Sequence, residues 1–518
     1  MNAWGFLLPA ALAALLSLAL TPVVRALALR IGAVDLPSAR KIHRLPVPAM
    51  GGLAVVASGT IVLAGRYAYG VPPVNPQWAS ASVNLGLLLG LLPILGMSVW
   101  DDIRPLGAWP KLLGQSVGAA LAISLGIVLD PTVHLFEAPV HIGAFAVPLS
   151  FLWLVGVTNA FNIIDGLDGL SAGLAFISAS TLVGVFLFAG RTDTALVAAV
   201  LAGALLGFLP YNMHPARVFL GDTGANALGF LLGCLTLQGG STLSAGLATL
   251  LPLVLLGVPI ADTALSVCRR LLRRLQGDAG ARVFNADLNH IHHRLLASGL
   301  SHRTSVWLLY GIAASLAAVA LLSLMFTARE TGFLLVATLG AGYVGMKKLG
   351  YEEFALVRHD RVARPFNAPV LTRSFFHAFI DLVLLACSIV LAVWLRFDRW
   401  ALALDMRLLS YQAFSMLAPA AMIAFAAGGM YRGPWRIDDL RDVLRASRVV
   451  LESTVVAACL APLLYETPPP ISLFVVYTFL MLAAVNGARF LTGAVVRGYS
   501  RARRVEPPAV VYTARRAA

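Results

Sequence analysis

Apolar runs of 18 or more residues recur along nearly the whole chain, and no other feature limits its fold so strongly. A run of that length makes a helix that can cross a hydrocarbon core of about 30 Å. Fifteen candidate spans, most of them that long, are predicted at roughly residues 4–27, 51–69, 83–100, 112–129, 145–160, 169–189, 194–211, 224–240, 246–267, 305–326, 331–346, 375–395, 409–428, 449–465 and 471–494. The expected fold class is all-α: a polytopic transmembrane helical bundle with 11 spans in a first part and four in a second. The first run, from Trp4 to about Leu27, follows no basic stretch and is too long for the apolar part of a signal peptide, so it is read as a span.

Composition agrees. Only 12% of residues are charged, whereas soluble domains carry about 25%. Cys234, Cys268, Cys387 and Cys459 lie inside apolar stretches with no CxxC pair, which argues against a disulfide framework or a zinc site. The net charge is +14, but the basic residues sit between spans. They therefore read as orientation signals and as attraction to anionic lipid in the bilayer, with no nucleic-acid partner expected. If the first span exits to the cytoplasm, the even-numbered exits carry only Arg66, Arg191, Arg329, Arg396, Arg399 and Arg407, and the remaining 33 of the 39 Lys and Arg lie at or near odd-numbered exits. Such an asymmetry is what the positive-inside rule requires.

A basic, mostly polar stretch at 347–373, with Pro365, separates residues 1–346 from the four-span segment 374–518. Five polar clusters interrupt the first part, all on the predicted cytoplasmic side. They are Asp35 to His43, with Arg40 and Lys41, followed by Pro46, Pro48 and Gly51-Gly52; Asp101-Asp102, with Lys111 and Gln115 downstream; Asn159, Asn162, Asp165 and Asp168; Asn212 to Gly224, with Phe219 and Asp222; and Asn289 to Arg294, with His290, His292 and His293. The three-residue spacing from Asn159 to Asp168 predicts one polar stripe along a helix end. Carboxylates and amides there are hard oxygen ligands suited to Mg²⁺. Gly166 and Gly169 are expected to admit a ligand close to the backbone. Adjacent acids cannot share a helix face, so Asp101 and Asp102 are expected to differ in role, or to be simple boundary charges. Asp222, in Gly-Asp-Thr-Gly, is expected on a tight turn facing a metal. Asp262 reads as a buried, satisfied acid, although an acid inside a span is also a functional candidate. Arg269 to Arg274 read as topology signals.

Acids for a metal, cations for phosphates and a membrane setting fit phosphoryl transfer to a lipid, a reaction catalysed chiefly by positioning and charge neutralisation. A transporter would need ionisable groups near the midplane and helices broken in related halves; the acid clusters lie at span ends. A polysaccharide-assembly scaffold would leave the five motifs unexplained.

At these motifs, over roughly residues 1–346, the chain resembles the polyprenyl-phosphate N-acetylhexosamine-1-phosphate transferase family, which includes WecA, TagO and MraY. The wording Asn-Ile-Ile-Asp-Gly-Leu-Asp-Gly and His-Ile-His-His is similar to the WecA branch. The resemblance implies an enzyme of the bacterial inner membrane, with its site on the cytoplasmic face. It would move GlcNAc-1-phosphate from a UDP-sugar to undecaprenyl phosphate, release UMP and start synthesis of a cell-envelope polysaccharide such as lipopolysaccharide or exopolysaccharide. An MraY-like phospho-MurNAc-pentapeptide transfer is the alternative. Direct and two-step routes both stay open, as does a homodimer.

The resemblance further implies that Asp222 and Asn162 hold Mg²⁺, with Mn²⁺ able to substitute. Asp101 or Asp102 would act on the lipid phosphate and Lys111 would bind it. Phe219 would stack on uracil, or else anchor its loop in the headgroups; Asp168 and Asn212 would hold the nucleoside; and His290, His292, His293 and Arg294 would contact the diphosphate or sugar. Asn159, Asp165, Arg40, Lys41 and His43 complete the expected substrate-binding set. Ala225 departs from the Ser common in the family. In the second part, Phe379-Ile-Asp381, Trp394 to Phe397 and Gly429 to Trp435 resemble the membrane part of CapD-like proteins. No GxGxxG follows, so no NAD binding is expected.

Overall fold

The computed structural model describes residues 4–36, 46–69, 81–135, 138–239, 251–275, 290–297, 299–324, 373–397, 404–431 and 439–504. Helices dominate them: α1 (Trp4–Ile31), α2 (Gly51–Ala68), α3 (Ala81–Ile103), α4 (Ala108–Ser124), α5 (Ala146–Ile164), α6 (Leu170–Phe188), α7 (Thr192–Asn212), α8 (Gly221–Gly239), α9 (Leu251–Leu255), α10 (Gly257–Leu275), α11 (Ile291–Ala297), α12 (His302–Ser323), α13 (Arg373–Phe397), α14 (Leu404–Ala427), α15 (Leu440–Leu464) and α16 (Ile471–Arg504). Two short antiparallel ladders join β1 (Val34–Asp35) to β2 (Val47–Pro48) and β3 (Thr132–Leu135) to β4 (Ala138–His141).

Fourteen of the fifteen predicted spans coincide with helices; 331–346 lies outside the described residues, as does the linker up to residue 372. By length and composition, nine helices among the described residues are able to cross a membrane, with two shorter apolar ones at Gly51–Arg66 and Gln412–Ala427. The chain is a multi-pass membrane protein. The predicted ninth span is two helices, α9 and α10. On α10 up to Arg270, the exposed positions are the apolar Ala261, Ala264, Val267 and Cys268, while Asp262, Ser266 and Arg269 are buried. That inside-out pattern suits a helix in lipid with a polar interior.

The described residues fall in two compact units. Those up to His292 and from Val306 to Leu324 belong to the first; His293–Ser305 and those from Arg373 onward belong to the second. In the first, α1 and α6 pack along α7, α3 along α4, and α5 along α8. Lipid tails are as apolar as the side chains, so membrane helices associate by close packing at small residues. Gly203 and Gly207 of α7 lie against the backbone of Ala10 and Ala14, and a Cβ on either would overlap those carbonyls. Gly52 of α2 meets Gly224 of α8 backbone to backbone in the same way. Around these crossings, Phe161, Phe186, Phe208, Leu228 and Leu232 fill a buried core.

In the second unit, α13 to α16 pack each on the next, and α13 also packs on α16. A capping box between Asp439 and Asp442 begins α15. Inside, Arg489 of α16 makes a buried two-pronged pair with Asp381 of α13 at 2.8 and 3.2 Å. The Tyr431 hydroxyl also hydrogen-bonds Asp381, and the guanidinium lies 5.8 Å from the Phe425 ring centre.

Candidate active site

The first unit gathers described parts of all five motifs at one end of the bundle. α3 ends in Asp101-Asp102, and Leu106 donates its backbone N–H to Asp101 Oδ1 at 2.6 Å, fixing the turn into α4. One turn into α4, Lys111 Nζ lies 2.6 Å from Asp101 Oδ2 and 2.5 Å from Asp222 Oδ2. A single ammonium thus bridges two carboxylates from different helices.

Asp102 points elsewhere, as a neighbour on a helix must. It accepts from the backbone N–H groups of Asp222 and Thr223 at 2.9 and 3.1 Å, and from the Thr223 hydroxyl at 2.5 Å. The first N–H groups of a helix lack intrahelical partners, and Gly221 has no side chain to cap them. Asp102 supplies that cap from α3, where the helix dipole also favours a negative charge. Gly221 adopts φ +74, and a Cβ there would come within 2.7 Å of both the Asp102 carboxylate and the Met50 backbone nitrogen. Asp222 therefore sits in the first turn of α8 and not on a free turn; the flanking glycines serve the capped start and the crossing with α2.

Asn162, in the last turn of α5, hydrogen-bonds Asp222. The stripe expected through Asp168 is cut short because α5 stops at Ile164. Gly166 and Gly169 follow, and Gly169 takes φ +80 before α6. Asp165 thus leaves the helix. Desolvation, then the negative charges of Asp222, Asp102 and Asp168, push its carboxyl well above the usual range. Asp168 turns to His214 Nδ1 at 2.7 Å and the Ala216 N–H at 3.1 Å. The two glycines do admit close neighbours, but these are protein groups: His292 packs on Gly166, and the Tyr310 hydroxyl donates to the Gly169 carbonyl at 2.5 Å.

The histidine motif is anchored by Asp262. Its Oδ1 accepts the Ile291 N–H at 2.7 Å, and its Oδ2 lies 3.1 Å from His290 Nδ1. Ser266 lies 3.3 Å from that same nitrogen, and the rings of His290 and His292 stack with centroids 5.7 Å apart. His293 and Arg294 follow on α11, both half-buried. Arg269, in the basic run read as topology signals, is only 1% exposed. The spacing Asp262, Ser266, Arg269 on one helix face was the available signal.

Asn212 closes α7, buried, and donates to the Val218 carbonyl at 3.0 Å. Phe219 is half-buried; its N–H donates to the Pro48 carbonyl and its carbonyl accepts from Gly51, both at 2.9 Å. Asn159 does not share the acid group's contacts: it donates to Gln115 at 2.6 Å and to the Val155 carbonyl at 2.9 Å. Arg40, Lys41 and His43 lie outside the described residues.

The donor set is chemically uniform. Among the described residues, Asp101, Asp102, Asp165 and Asp222 bring four carboxyls together with the Asn162 amide and the bridging Lys111 ammonium. Hard oxygen donors in this number suit Mg²⁺ or Mn²⁺, and a cation would relieve the repulsion that disfavours an ionised Asp165.

Residues 84–240 match the model of the family described as "Glycosyl transferase family 4". The chain is 39% identical over 309 residues to the "Probable undecaprenyl-phosphate N-acetylglucosaminyl 1-phosphate transferase" of Bacillus subtilis, covering 59% of this chain and 82% of that protein. It is 32% identical over 351 residues to a "Decaprenyl-phosphate N-acetylglucosaminephosphotransferase" of Mycobacterium tuberculosis, covering 63% and 84%. It is 34% identical over 320 residues to the "Phospho-N-acetylmuramoyl-pentapeptide-transferase" of Heliobacterium modesticaldum, covering 59% and 92%.

Proposed function

Because the chain belongs to glycosyl transferase family 4, the polyprenyl-phosphate N-acetylhexosamine-1-phosphate transferases, we propose that it moves GlcNAc-1-phosphate from UDP-GlcNAc onto undecaprenyl phosphate at the cytoplasmic face of the inner membrane. A phosphate oxygen of the lipid forms a bond to the sugar-bearing phosphorus of UDP-GlcNAc. The bond from that phosphorus to the bridging oxygen breaks, and its electron pair leaves with UMP.

The observation that carries this reading is Lys111 bridging Asp101 and Asp222. Bringing a phosphate to a diphosphate sets anion against anion, and the ammonium lies where a third group can be added to the pair. Asp222 and Asn162, with Asp165 beside them, would hold Mg²⁺, which supplies charge neutralisation on the diphosphate when bound. Lys111 binds the lipid phosphate and keeps it beside Asp101, which is placed to take any proton that phosphate carries. Asp102 keeps the start of α8 in place, and with it Asp222. His290 and His292, held by Asp262, face the diphosphate and sugar, while Phe219, Asp168 and Asn212 take the uridine.

The test is a product assay with purified full-length protein, undecaprenyl phosphate and a panel of UDP-sugars that includes UDP-MurNAc-pentapeptide, following UMP. Release with UDP-GlcNAc supports the proposal. Release with the pentapeptide alone would move the protein to the muramoyl branch, and no release from any donor refutes the reading.

A further inference from the structure

Directly beneath the acid group lies a second polar layer, which includes Asn159 of the expected substrate-binding set. Asn159 donates to Gln115 Oε1 at 2.6 Å, Gln115 Nε2 donates to Asn226 Oδ1 at 3.1 Å, and Asn226 Nδ2 donates to Ser98 Oγ at 3.0 Å. Ser98, Gln115 and Asn226 are buried, and Asn159 is half-buried and tied to its own helix through Val155. The chain of bonds runs α5–α4–α8–α3.

Each member stands one helical turn from a residue of the acid group, on the same helix. Ser98 precedes Asp101 and Asp102, Gln115 follows Lys111, Asn159 precedes Asn162, and Asn226 follows Asp222. Since α3 and α5 end at the site whereas α4 and α8 begin there, all four offsets point the same way, into the bundle. Residues three or four apart share a helix face, so the two layers are stacked.

From this juxtaposition we infer that Ser98, Gln115, Asn159 and Asn226 are positioning residues, a hydrogen-bonded register layer that sets the relative rotation and height of four helices so that Asp101, Lys111, Asn162 and Asp222 meet. The acid group alone does not fix all four helices: Lys111 and the Asp102 cap tie α3, α4 and α8 at their ends, but the carboxyls still repel one another. Leucine packing alone would not either, because apolar contacts tolerate rotation and sliding, whereas amide hydrogen bonds fix both distance and direction. The inference rests on the transferase reading for its kinetic consequence but not for its geometry.

The variant that tests it is Ser98→Ala/Gln115→Leu/Asn226→Leu in the full chain. Replacing all partners by apolar groups leaves no unsatisfied buried polar atom among the three, and such exchanges are nearly neutral for stability. Asn159 keeps its bond to Val155. The expected result is a melting temperature close to that of the unaltered protein, a kcat lower by about tenfold or more, a smaller change in KM for UDP-GlcNAc, and Mn²⁺ binding followed by electron paramagnetic resonance weakened by about tenfold, since small misplacements of reacting groups are costly. A melting temperature, kcat and Mn²⁺ affinity all at their unaltered values would overturn the inference.

Gln115→Met, which cuts the links to Asn159 and Asn226 while keeping length and leaves the Asn226–Ser98 bond, should show the same split in smaller measure; it decides the matter if the triple variant does not fold, and unchanged values for it overturn the inference equally. If the unaltered protein releases no UMP, the transferase reading fails while the Mn²⁺ titration still judges the layer. If it binds no Mn²⁺ but turns over, kcat judges it.

Discussion

Asp102 accepts the backbone N–H of Asp222 at 2.9 Å, so one acid of the site holds in place the helix that carries another. The two adjacent acids of α3 thereby divide their work: Asp101 faces Lys111, and Asp102 secures α8.

That division predicts different losses. Asp102→Ala removes a cap and should lower stability by about 1–2 kcal/mol, the range for losing a side-chain cap, seen as a lower melting temperature. Asp101→Asn should leave the melting temperature nearly unchanged and still abolish most turnover. Equal melting temperatures for the two variants would contradict the assignment.

Turnover should depend on a divalent cation. EDTA should stop UMP release, and Mg²⁺ or Mn²⁺ should restore it. Asp222→Asn should reduce kcat by about a hundredfold or more, the scale for losing a charge-stabilising group, in protein that still purifies as a folded species. Full turnover in chelator would end the metal reading.

Phe219 offers a test of nucleoside recognition. If its ring stacks on uracil, Phe219→Ala should weaken UDP-sugar binding by about 1–3 kcal/mol, roughly a 5- to 150-fold rise in Kd. The apparent affinity for undecaprenyl phosphate should hardly move. Equal losses for both substrates, or none for the nucleotide, would make Phe219 a membrane anchor.

Two glycines should be intolerant of any side chain. Gly52→Ala or Gly224→Ala forces backbone against Cβ and should cost about 1–3 kcal/mol or more, as overpacking does. Gly65→Ala on the same α2 meets nothing within 4 Å and serves as the control. Thermal melting in detergent would show all three in one series.

In the second unit the ion pair between Asp381 and Arg489 should be costly to break from one side. Asp381→Ala leaves a buried guanidinium and should destabilise by about 3–5 kcal/mol, whereas Asp381→Leu/Arg489→Leu should recover most of that. A double variant no better than the single one would show that the pair does more than satisfy itself.

Much of this was legible in the sequence, for reasons that differ by residue. Apolar runs located the helices because span length is set by the bilayer, and the family resemblance carried by the motifs brought Asp101, Lys111, Asn162 and Asp222 into one group. Reading the three-residue spacing as a continuous stripe failed at Asp165 because Gly166 and Gly169 end the helix first, a local backbone effect that outweighs periodicity. Glycines read as room for a ligand are filled by His292 and Tyr310, and only tertiary packing reveals such occupants. The role of Asp102 as a cap for a helix 120 residues away was likewise out of reach, since capping is recognised in sequence only when the cap is a neighbour. Arg269 looked like one member of a basic run, and its burial follows from the face it shares with Asp262.

The meeting of Gly52 and Gly224 has a mechanical consequence. With bare backbone on both sides there is no flexible side chain between α2 and α8 to absorb a displacement. The hydrogen bonds from Phe219 to Pro48, from Gly51 to Phe219 and from Gly52 to Leu220 clamp the adjoining strands of chain as well. Residues 46–52 and 218–224 are thereby held backbone to backbone, and the loop carrying Phe219 is tied directly to the start of α2.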